Sequence, residues 1–125
     1  MKIVIDSSVI IDFTRAGLGV LEFLVELKKV GKIEILLLTI VVAELWAGRE
    51  VARGDLEKLL SGFVQVELTE KIAKKTGEIL RDKSASGFDS IIAATALECG
   101  AQLATRNIKH FAGVKGIKIF ESEKS

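Results

Sequence analysis

The sequence predicts an α/β domain in which a mostly parallel sheet is covered by helices on both faces. Two observations carry this. Short, almost wholly apolar runs such as Lys2–Ile5 and Ile33–Leu38 look like strands buried on both sides, and they alternate with segments whose apolar residues fall at helical spacing. A third bounds it: 125 residues, 49% hydrophobic and 28% charged, allow one ordinary domain with a full core.

The elements follow in order. Lys2–Ile5 stops at Asp6, and Ser7 or Ser8 is placed to cap a helix carrying Val9, Ile10 and Phe13. Gly17 and Gly19 interrupt the chain before a second helix over Val20–Val30. After the turn at Gly31-Lys32, Ile33–Leu38 forms the second strand. Thr39 is then expected to cap a helix running to about Arg53, with Val42, Leu45 and Trp46 in register and Gly54 at its end. Asp55 opens a short helix with Leu56, Leu59 and Leu60. Val64, Val66 and Leu68 alternate with Gln65 and Glu67 as a third strand. Thr69 caps a helix whose face is Ile72, Thr76, Ile79 and Leu80. Past the small-residue break Ser84–Gly87, Phe88–Cys99 is a strongly apolar helix ended by Gly100 as a left-handed cap. Gln102–Thr105 and Ile117–Phe120 supply two further strands, five in all.

Composition removes several function classes. Eighteen basic against 17 acidic residues give a net charge of +1, so bulk basicity does not recruit a partner. One cysteine cannot make an internal disulfide. The longest apolar stretch, Ile35–Val42, is far short of the roughly 20 residues of a spanning helix, and an acid at position 6 fits no signal peptide. A cytoplasmic protein without membrane contact is expected. There is no G-x-G-x-x-G and no G-K-[ST], so phosphate cradles of those kinds are missing. A phosphatase with an aspartate nucleophile needs a second Asp where Ser8 stands, and the third strand's Glu67-Leu68-Thr69 suits no receiver domain.

The chemistry concentrates at one edge. Ligands of open parallel sheets bind beyond the C-terminal ends of the strands. That rule selects Asp6 after the first strand and Thr105, Arg106 and Asn107 after the fourth. It also selects Glu44 one turn into the helix after the second strand, and Asp89 in the first turn of the apolar helix. Glu44 and Asp89 lie in apolar sequence, where an acid is costly unless paired or bound to a cation. Clustered carboxylates raise one another's pKa, and a hard divalent ion relieves the repulsion. Mg²⁺ or Mn²⁺ suits such oxygen donors; a zinc cage would need more than the single His110 and single Cys99. Each acid alone also fits an ordinary place at a turn or a helix start, and the joint placement is what points to a site.

Four segments, in order, resemble a known family: Ile3–Asp12, Ala43-Glu44-Leu45 with Gly48, Phe88–Ala96 and Leu103–Phe111. They are similar to those of PIN-domain ribonucleases and, among these, to the VapC toxins of toxin–antitoxin pairs. The resemblance implies a single three-layer PIN domain over residues 1–125, with a five-stranded parallel sheet flanked by helices. It implies Asp6, Glu44 and Asp89 as ligands of Mg²⁺ or Mn²⁺ in RNA phosphodiester hydrolysis, with Asn107 completing the catalytic set. Ser8 and Thr105 are implied as orienting residues. The family's fourth acid falls at Asn107 or His110, neither of which is acidic. Arg15, Arg49, Arg53, Arg106 and Lys109 are candidate phosphate contacts, Arg106 foremost; His110 is taken for a packing or hydrogen-bonding residue. The resemblance further implies an antitoxin of the VapB kind, laid in an apolar groove for which Phe13, Leu18, Leu21, Leu24 and Trp46 are candidates, and a homodimer. Two other functions remain open: a PIN-like module that holds RNA or a partner without cutting, and a housekeeping RNA-processing nuclease.

Overall fold

A computed structural model describes residues 1–16, 19–48 and 53–121. In chain order the elements are β1 (Lys2–Ile5), α1 (Ser7–Ala16), α2 (Val20–Lys29), β2 (Glu34–Leu38), α3 (Thr39–Ala47) and α4 (Arg53–Leu60). They continue with β3 (Val64–Val66), α5 (Glu70–Arg81), α6 (Gly87–Cys99), β4 (Gln102–Ala104) and a 3₁₀ turn at Ile108–His110. The expected positions Gly17, Leu18 and Arg49 lie outside the described residues.

Each helix between two strands brings the chain back in the same direction, so every strand pair is parallel, in the order β3-β2-β1-β4. The register sets Val4 beside Leu36 and Leu103, and Ile5 beside Ala104. Consecutive strand residues point to opposite faces, and Ile3, Val4 and Ile5 are all fully buried, as are Ile35, Leu37 and Leu38. Both faces of the sheet are therefore covered. Helix α1 packs on α2 and α3, which both lie on β2, while α5 lies on α6 and α6 on β1 and β4. Among the described residues no helix is long and apolar enough to cross a membrane.

Among the described residues the sheet has four strands, not five. Ile117–Phe120 reaches β4 only through Leu103, whose N–H donates to Lys118 O at 2.8 Å and whose carbonyl accepts from Phe120 N at 2.8 Å. Gly116, at φ +85°, turns the chain just before this segment, and the pairing amounts to one bridge between Leu103 and Ile119. The helix expected from Thr39 to about Arg53 ends at Ala47, where Gly48 adopts an extended conformation, and Arg53 already belongs to α4. Thr39 is the first helical residue rather than the cap. Leu68 lies past the end of β3 and is exposed. Thr69 caps α5 as expected, its hydroxyl oxygen accepting from Ile72 N at 3.2 Å, and Gly100 ends α6 at φ +63°.

Candidate active site

The site is built where β1 and β4 end side by side. Asp6 follows β1 directly; its backbone N–H still continues the ladder to Ala104 O at 3.3 Å. Its side chain, 5% exposed, turns back over the start of α1, where the Ser8 and Val9 backbone N–H groups donate to it. Asp6 is thus the cap of α1, a role the sequence assigned to Ser7 or Ser8. The Ser8 hydroxyl donates to Oδ1 of the same carboxylate, and the Thr105 hydroxyl donates to Oδ2 at 2.5 Å across from β4. Burial pushes the Asp6 carboxyl above the ordinary aspartate value, and these hydrogen bonds pull it back part of the way.

The two hydroxyls are themselves fixed. Ser8 Oγ accepts from Arg106 N at 3.0 Å, and Thr105 Oγ1 accepts from Asn107 N at 3.0 Å. The loop after β4 is thereby tied to the start of α1, and both orienting residues inferred from the sequence stand in that tie. Arg106 adds a second strap: its guanidinium donates to Asp12 Oδ2 on α1 at 2.8 Å. The residue expected to meet phosphate is therefore engaged in an ion pair. No sequence pattern marks Asp12 as its partner, although it lies one turn beyond Ser8 on the same helix.

Glu44 comes from α3 and is partly buried. Its pKa is raised first by burial and then by the negative charges of Asp6 and Asp89, against a hydrogen bond from the Ser7 hydroxyl. The three acids named from the sequence therefore share one field. Asp89 sits in the first turn of α6 and meets His110 Nδ1 at 3.1 Å. Asn107 opens the 3₁₀ turn, exposed, its side chain capping nothing. An open pocket of about 370 Å³ adjoins Asp89, walled by Leu80, Lys83, Ala85, Ser86 and His110. Leu80, expected on the buried face of α5, is exposed because it lines this opening.

Among the described residues, no three His, Cys, Asp or Glu side chains are arranged to hold a metal ion by themselves. The donor chemistry nonetheless fits a hard divalent cation. Mg²⁺ commonly binds through one or two carboxylates and retains several waters, so it does not require a closed protein cage.

Of the apolar groove candidates, Leu21 and Leu24 are fully buried and belong to the core. Trp46 lines a different opening with Val42, Ala43 and Leu60, where the Arg53 guanidinium lies 5.6 Å from its ring.

Comparison with known proteins agrees with this architecture. The PIN domain family model matches residues 3–116. Ribonuclease VapC10 of Mycobacterium tuberculosis is 34% identical over 122 residues, covering 93% of this chain and 90% of the relative. Ribonuclease VapC19 of the same organism is 36% identical over 113 residues, covering 86% and 90%. Among solved structures, VapBC2 from Rickettsia felis, bound to a DNA fragment from its promoter, superposes with a TM-score of 0.82 at 21% identity, over 98% of this chain and 100% of that one. FitAcB from Neisseria gonorrhoeae gives a TM-score of 0.74 at 24% identity, over 95% and 96%; at such identities these two show the fold alone. With the family model spanning almost the whole sequence and two relatives above 30% identity, the chain belongs to the PIN domain family and, within it, to the VapC group.

Proposed function

We propose that the chain is a divalent-cation-dependent endoribonuclease acting as the toxin of a toxin–antitoxin pair. The observation that carries this reading is the shared field of Asp6, Glu44 and Asp89 at the C-terminal edge of the sheet. RNA as substrate is supported by the two relatives named ribonucleases, and an antitoxin partner by the solved VapBC complexes.

In this reading Asp6, Glu44 and Asp89 hold Mg²⁺ or Mn²⁺. A divalent cation at such a site supplies a more acidic water and offsets negative charge on the phosphate. Asp6 is the rigid member, fixed by Ser8 and Thr105. Glu44 and Asp89 stand opposite with part of each carboxylate open to solvent. Asn107 is exposed at the same rim and offers a neutral carbonyl oxygen. The backbone ties from Arg106 and Asn107 to the two hydroxyls keep the rim from spreading.

The test is cleavage of single-stranded and structured RNA by the purified protein with Mg²⁺, Mn²⁺ or chelator, beside Asp6→Asn and Asp89→Asn. Cation-dependent cutting that both variants lose by at least about 100-fold is expected. Equal cutting by wild type and both variants would overturn the assignment. A second reading, a PIN-like module that holds RNA without cutting, is favoured by Asn107 and His110 standing at the two places where the family's fourth acid falls. Tight RNA binding with no product under any condition would select it.

A further inference from the structure

His110 stands where the fold leaves its ring little packing to do. The next residue, Phe111, is fully buried, and the 3₁₀ turn closes with His110 N donating to Asn107 O at 2.9 Å and Phe111 N to Ile108 O at 3.0 Å. The backbone at 110 is therefore pinned, while the side chain is 58% exposed. What the ring does touch is Asp89 Oδ2, through Nδ1. A carboxylate oxygen only accepts, so Nδ1 carries the hydrogen in this contact. Asp89 meanwhile faces the negative charge of Glu44.

We propose that His110 is a positioning residue for the cation: its Nδ1–H holds one oxygen of Asp89 and so presents the other to a divalent ion. The proposal rests on the reading that Asp89 binds such an ion. Carboxylates that ligate metals are usually held by an outer hydrogen bond, and losing that bond weakens metal binding by about 10–100-fold. Here the outer donor comes from the turn after β4, so the loop that fixes Asp6 through Thr105 fixes Asp89 as well.

The experiment is Mn²⁺ binding to the full chain, measured by calorimetry with the metal alone, for wild type, His110→Ala, His110→Asn, His110→Gln and Asp89→Asn. An asparagine side chain places its amide nitrogen where Nδ1 stands; glutamine places it where Nε2 stands. Expected is weakening by about 10-fold or more in His110→Ala, recovery in His110→Asn, no recovery in His110→Gln, and melting temperatures within about 1 °C of wild type. Wild-type affinity in His110→Ala, with binding lost in Asp89→Asn, overturns the positioning role and leaves the cation reading intact. Recovery by Gln rather than Asn, or by neither, also overturns the positioning role. Absence of Mn²⁺ binding in wild type, or equal binding in Asp89→Asn, overturns both.

Discussion

Asp6 is a buried acid whose cost is offset locally, and removing one of its donors should expose that cost. Thr105→Val keeps the shape but deletes the hydroxyl that donates to Asp6 and accepts from Asn107 N. A loss of about 2 kcal/mol is expected in urea unfolding, as for other hydrogen bonds to a charged group. Glu44 has only the Ser7 hydroxyl to set against burial and the charges of Asp6 and Asp89, and its folded pKa is raised above the ordinary value of 4.5. Between those two values the folded state binds more protons than the unfolded one, so stability falls as pH rises through the interval and is level above it. Glu44→Gln should therefore melt about 1–2 °C higher than wild type at pH 7 in chelator, a small gain because the group is partly solvated. Thermal melts at pH 4 should show no such gain. The grouping of the three acids was legible because Asp6 ends an apolar strand run, while Glu44 and Asp89 stand in apolar helical sequence. The Arg106–Asp12 pair was not, since it depends on how α1 lies beside the loop after β4, which no local pattern encodes.

Among the elements, those with a chemical end signal were the readable ones. Thr69 and Gly100 bound α5 and α6 where expected, because a hydroxyl acceptor and a glycine free to turn left-handed act locally. Gly100→Ala should cost about 1 kcal/mol in a denaturant midpoint, a purely conformational penalty, as no atom lies within 4 Å of the added carbon. The errors fall where geometry is shared between distant segments. Ile117–Phe120 has strand-like composition, yet it meets β4 only through Leu103, so it forms a bridge and no fifth strand. The helix expected to run on to about Arg53 likewise stops at Ala47, where Gly48 turns extended.

For the whole molecule, the parallel topology and the double coverage of the sheet followed from strand runs without polar alternation, and the family from motifs spread along the chain. Phe111 shows what joins the layers: fully buried after the 3₁₀ turn, it anchors the loop that bears Thr105, Arg106, Asn107 and His110. Phe111→Ala should cost about 3–5 kcal/mol in unfolding. Because β1 lies in the middle of the sheet and pairs with β4, Asp6 meets Thr105 across 99 positions of sequence. A growing chain folds from its N-terminus as it emerges, so β1 waits on the ribosome without its second neighbour. Nascent chains arrested before Thr105 should show no RNA cleavage, while chains released at full length should cut. In the proposed reading, synthesis would then finish before its product acquires a working edge, giving the cell an interval in which a newly made chain cannot yet cut RNA.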